Sequence, residues 1–101
     1  MYIYNVTTQV SHSIHTDWLP WMKNLHIPAV MATGCFSSYQ MVRLLEIDEE
    51  HGATYAVQYY ADTKNDYERY ISEFAPSLRK DTVSQWGDKA VAFRTIMLVV
   101  N

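Results

Sequence analysis

Residues 89–100, KAVAFRTIMLVV, decide how the rest of the chain is read. Val91, Phe93, Met97 and Val99 alternate with Ala90, Ala92, Ile96, Leu98 and Val100, so a strand here is apolar on both faces. Arg94 and Thr95 interrupt it. The run is too short to cross a bilayer and carries a charge at Arg94, so its setting is a protein sheet.

Three further segments have strand character. MYIYNVTTQV is β-branched and aromatic and predicts a first strand over residues 2–9. CFSSYQMVRLLEID (35–48) predicts a second, EEHG (49–52) a hairpin turn, and ATYAVQYYAD (53–62) a third. Between the first two strands the period changes to that of a helix over residues 12–26. At 100° per residue, Ile14, Trp18, Trp21 and Leu25 form one stripe. His15, Leu19, Met22 and His26 form the next. Pro20 falls on the polar arc, where it would bend the helix toward its buried side, unless Asp17 caps a shorter helix with Pro20 in its first turn. HIPAVMATG then predicts a turn into a short helix closed by Gly34. After the third strand, Thr63 or Asp62 caps a helix whose apolar positions are Tyr67, Tyr70, Ile71 and Phe74. Pro76 is expected to end it and to open another that Gly87 stops.

The order β-α-β-β-α-β is that of an α+β, ferredoxin-like sandwich, with residues 1–101 as one domain. Strands in that topology lie in the order 4-1-3-2, which puts KAVAFRTIMLVV at an edge. A free edge that is apolar on both faces invites aggregation, so a cover is required. A second copy of the chain is the expected cover, the alternative being the chain's own terminal turns or its 76–87 segment.

Composition narrows the function classes. The net charge of −3 gives no electrostatic case for nucleic acid or an anionic membrane. The single cysteine, Cys35, excludes an internal disulfide and a cysteine-rich zinc cage. No charged start followed by an apolar run is visible, so a cytoplasmic protein is the expectation. No phosphate loop, dinucleotide fingerprint, nucleophile elbow or metalloprotease motif occurs, and no motif asks for a cofactor or metal.

Candidate site residues come from two places. If the more apolar side of the central strands faces the helices, the open face carries Ile3, Asn5, Thr7, Thr54, Gln58 and Tyr60, joined by Arg94 or Thr95. Two such faces meeting in a dimer would enclose an apolar space with a few polar anchors, the usual make-up of a small-molecule pocket. The helix adds Trp18 and Trp21 as aromatic walls and His15 and His26 as acid–base candidates. The two histidines are eleven residues apart, about 16 Å along a helix, and cannot share a metal within one chain.

RNA-recognition domains share the same element order. MYIYNV fits their first-strand pattern, but GATYAVQYY places Val57 where an aromatic should stand and Thr54 where glycine should. With a net acidic chain, RNA binding is not expected.

The run WLPWMKNLHIPAVMATGCF (18–36), the third-strand TYAVQYY and the late FRT resemble a family of small uncharacterised bacterial proteins, a domain of unknown function. The resemblance covers essentially the whole chain and places it in the dimeric α/β barrel superfamily. It implies a homodimer whose sheets pack together and leave a cavity in each subunit. Relatives in that superfamily include cofactor-free oxygenases, haem-degrading enzymes, isomerases and ligand-sensing modules. Pro20 departs from the uninterrupted helix expected there.

Two functions follow as expectations. In the first, the homodimer binds a metabolite or another protein without catalysis, through Asn5, Trp18, Trp21, Gln58, Tyr60 and Arg94. In the second it is a small-molecule enzyme, with His15 or His26 as base or axial ligand while Arg94 and Asn5 hold an anionic oxygen. The absence of a dense acid–base cluster favours the first.

Overall fold

The computed structural model describes residues 1–101. Four antiparallel strands form one sheet in the order β2-β3-β1-β4, built from β1 (Tyr2–Val10), β2 (Ser38–Arg43), β3 (Ala53–Ala61) and β4 (Ala90–Leu98). β4 is an edge, as the topology requires. β1 is in register with both neighbours, Tyr4 opposite Tyr59 and Ile96, and Val6 opposite Val57 and Arg94. Two helical arms connect β1 to β2 and β3 to β4, packing on one face of the sheet.

Both arms pass through a proline without breaking, contrary to the expectation that a turn precedes Pro28 and that Pro76 ends a helix. The first arm is α1 (His15–Trp21), a π turn (Met22–His26) and α2 (Ile27–Met31). The second is α3 (Lys64–Arg69), a π turn (Tyr70–Phe74) and α4 (Ala75–Trp86). In each, the proline lies two residues after the π turn. A proline ring inside an α-helix strikes the carbonyl one turn back and offers it no N–H. Widening that turn to the i→i+5 pattern moves the carbonyl aside and lets the helix continue.

The wide turn also shifts the buried face. Trp18 and Met22 are buried four residues apart, but the next buried position is Ile27, five further on, followed by Val30. Leu25, placed on the buried stripe by uniform helical spacing, is 62% exposed instead. The second arm repeats the five-residue step from Tyr70 to Ala75. Pro20 lies inside α1 on its exposed side, where the missing N–H breaks no buried pairing. Asp17 caps nothing, since α1 begins at His15 with no side-chain cap. Thr63 does cap α3, its Oγ1 accepting from the Asp66 backbone N–H at 3.1 Å.

The strand bounds differ from the sequence reading, most of all at β2. β1 runs one residue further, to Val10, and β2 is confined to Ser38–Arg43. Cys35 and Phe36 are buried ahead of β2. Leu45 and Ile47 are exposed in a connection spanning residues 44–52, longer than the four-residue turn expected. Gly52 ends that connection at φ +135°, and a Cβ there would overlap the Val10 carbonyl, so only glycine fits. Gly34 and Gly87, at φ 75° and 60°, close α2 and α4 as expected.

The core lies between sheet and helices. Tyr4 stands at its centre, with ring centroids 6.0 Å from Phe36, 6.1 Å from Tyr59 and 5.5 Å from Tyr70.

Candidate functional site

Strand alternation sorts the candidate residues between two faces. The face under the helices carries Tyr4, Val6, Thr8 and Val10 of β1, with Tyr55, Val57 and Tyr59 of β3. Register places Ala90, Ala92 and Arg94 of β4 beside them. The open face carries Ile3, Asn5, Thr7, Thr54, Gln58 and Tyr60, and from β4 it is Thr95, opposite Asn5, that joins them. Arg94 and Asn5 therefore point to opposite sides of the sheet. They cannot hold one oxygen together within a subunit, which corrects that pairing.

A cavity of about 40 Å³ lies between the helices and the sheet. Its walls are Tyr4, Val6, Tyr59 and Ala92 from the sheet, Trp18, Met22, His26 and Val30 from the first arm, and Tyr70, Leu78, Arg79 and Thr82 from the second, with Arg94 from β4. Of the residues picked from sequence, Trp18, His26 and Arg94 meet here. Burial holds the His26 pKa below its ordinary value, Asp81 acting against that and Arg94 with it. The imidazole is thus neutral near pH 7, and its ring stacks on Trp21 with centroids 5.1 Å apart. Burial pushes the hydroxyls of Tyr59 and Tyr70 well above the usual phenol range, so both stay protonated.

Arg79 was not among the sequence candidates. It lies on α4 with Ala75, Leu78 and Thr82, the i, i+3, i+4, i+7 pattern of a core-facing stripe. A cation on such a stripe, within the helix expected between Pro76 and Gly87, is the signal that would have found it. Its Nη2 donates to the Tyr4 hydroxyl at 3.1 Å, while its Nε–H is buried without a partner. Leu78 and Thr82 lie on the same stripe.

The other candidates lie elsewhere. Trp21 lines an outer groove of about 400 Å³ between the two arms, with Leu25, Ala29, Leu78 and Asp81. It meets Trp86 edge-on at 5.6 Å. His15 stands at a separate open groove on the β2 side, its Nε2 bonded to the Tyr55 hydroxyl at 2.7 Å. Gln58 accepts from the Tyr60 hydroxyl at 3.3 Å on the open face. There Asn5 Nδ2 donates to Thr7 Oγ1 at 3.0 Å, and Asn5 Oδ1 is buried with no partner. No three His, Cys, Asp or Glu side chains gather as a metal site would require. No helix is long and apolar enough to cross a membrane.

A four-stranded antiparallel sheet in the order β2-β3-β1-β4 with both helical arms on one face is a ferredoxin-like fold. The chain belongs to the family described as Domain of unknown function (DUF4286), whose model matches residues 1–100. Among curated proteins, none matches the sequence. Several solved structures share the fold. An ethyl tert-butyl ether D (EthD) family protein of Bacillus halodurans superposes with a TM-score of 0.70 at 13% identity, covering 99% of this chain and 100% of its own. A protein of Deinococcus radiodurans described as a putative antibiotic biosynthesis monooxygenase gives 0.67 at 13%, covering 100% and 94%. A dimeric ferredoxin-like protein from an uncultured marine organism gives 0.65 at 15%, covering 99% and 96%.

Proposed function

We propose that the protein is a homodimer in which each subunit binds a small molecule in the cavity between its helices and its sheet, without catalysis. The observation that carries this reading is the cavity itself. It is apolar-walled, reached by His26, Arg79 and Arg94, and enclosed by elements from both helical arms. The homodimer is supported by the open face. Val91 and Phe93 are 60% and 63% exposed there. A second copy packed on that face would bury both. A location in the cytoplasm fits the same reading.

An enzymatic reading rests on one feature, the neutral imidazole of His26 facing the cavity, which is competent to accept a proton. Neighbours described as monooxygenases have the same fold and are compatible with it. The proteins are too distant in sequence to carry an activity across.

Binding is tested by thermal shift against a metabolite panel that includes neutral and charged compounds, using the intact chain and Ala92→Leu. The added side chain fills the cavity from β4. Compounds that stabilise the intact chain and lose their effect on Ala92→Leu support the cavity. If every stabilising compound acts equally on both proteins, or none stabilises either, the reading fails.

A further inference from the structure

The charges around the cavity do not balance. Arg79 and Arg94 both reach it, yet neither has a carboxylate within ion-pair distance. The molecule's ion pairs are Arg43–Glu49, Lys64–Glu68 and Arg69–Asp66, all with substantial exposure. Asp81, the acid whose charge acts on His26, lines the outer groove and not the cavity. The Arg79 fork with its open buried Nε–H and the His26 ring thus face the cavity without an anion, and the exposed Arg94 guanidinium stands at its β4 wall.

A guanidinium desolvated without a counter-charge is unfavourable, and evolution of a purely structural core has a simple alternative in methionine or leucine. Planar guanidinium groups match carboxylates in shape, with two parallel N–H donors for two oxygens. Size limits what enters. A cavity that holds a benzene ring is about 150 Å³, so a space of about 40 Å³ accepts a head group and not an aromatic body. The remainder of a ligand must lie outside it. The outer groove shares His26 and Leu78 with the cavity and offers Trp21, Leu25 and Ala29 as apolar walls.

We propose that the site binds a small organic monocarboxylic acid, its carboxylate held between Arg79 and Arg94 and its apolar tail leaving past His26 and Leu78 into the groove between the arms. This rests on the cavity being a ligand site, and it adds the ligand's charge and direction.

Titration calorimetry at pH 7.5 with hexanoate, hexanamide, acetate and inorganic phosphate tests it. Hexanoate is expected to bind roughly tenfold or more tightly than hexanamide, the effect of charge-assisted hydrogen bonds. It is also expected to bind more tightly than acetate, because the tail is recognised. Arg94→Gln, a change at an exposed side chain that the fold tolerates, should weaken hexanoate by about tenfold and leave hexanamide unchanged. Arg79→Lys keeps the charge and removes the Nε donor, and should weaken hexanoate too. Equal binding of acid and amide, indifference to Arg94→Gln, tighter binding of phosphate than of hexanoate, or no binding of any probe each overturns the proposal. If acid and amide bind alike and Ala92→Leu abolishes both, the charge assignment alone falls and the cavity reading stands.

Discussion

The two faces of the sheet are made by alternate residues of the same strands, yet they are finished to different degrees. Under the helices, Tyr4, Tyr59 and Tyr70 are nearly inaccessible and packed ring against ring. On the open face, the centre holds small polar groups (Asn5, Thr7 and Thr54), while Val91 and Phe93 stand exposed at the β4 edge. At its centre the first face is completed by the chain's own helical arms, while Ile96 and Leu98 of β4 stay exposed at its edge. The second has apolar groups at its rim and an orphaned amide oxygen at its middle, the inverse of a solvated antiparallel face, which is polar throughout. One subunit thus contains a packed core under its helices and an uncovered β4 edge.

The sharpest way to break that contrast is to attack each face in turn and vary protein concentration. Trp18 is 1% exposed and spans the first arm and Tyr55, so Trp18→Ala should destabilise by about 3–5 kcal/mol. That loss, read by urea denaturation, should be the same at low and high protein concentration. Should Trp18→Ala change stability by less than about 1 kcal/mol, the helix-covered face is not the core.

Phe93→Asp acts on the other face. A charge placed in an apolar subunit contact typically removes about 1–3 kcal/mol of association or more. Sedimentation should show the intact chain at twice its 11.8 kDa mass and the variant at that mass, with far-ultraviolet circular dichroism unchanged. An intact chain that sediments as a monomer at every concentration removes the need for a cover on β4.

The smallest effect comes from His26 and belongs to the helix face alone. Burial keeps its folded-state pKa below 6.5, while the unfolded chain retains the ordinary value. The unfolded state therefore takes up a proton first as pH falls. The contribution is fully present above pH 6.5 and is lost as pH drops from there toward the lower folded-state pKa. Melting temperature should fall between pH 7.5 and 5.5 by less than Trp18→Ala lowers it, and His26→Gln should flatten the slope. An unaltered slope in His26→Gln would remove His26 as the origin of the pH dependence.

Period-2 and period-3.6 patterns were enough to place four strands, two helical arms and the edge position of KAVAFRTIMLVV, because both patterns record which side of an element meets water. They were also enough to separate Asn5, Gln58 and Tyr60 from Tyr4 and Tyr59. They failed at Pro28 and Pro76. A proline normally ends a helix, and nothing local announces that a π turn will carry the chain past it. The π turn ahead of Pro28 also put Leu25 on the wrong side. Arg94 failed differently, since β4 is apolar in both phases and its alternation has no sign until it pairs with β1.

By itself, then, the sequence determined the element order, the chemistry of each strand and the demand for a cover on β4, because local periodicity and composition suffice for these. Tertiary structure alone decided that Arg79, Arg94 and His26 share a cavity. Those residues come from α4, β4 and the first arm, and only sheet register and the phase slip of two π turns bring them to one place.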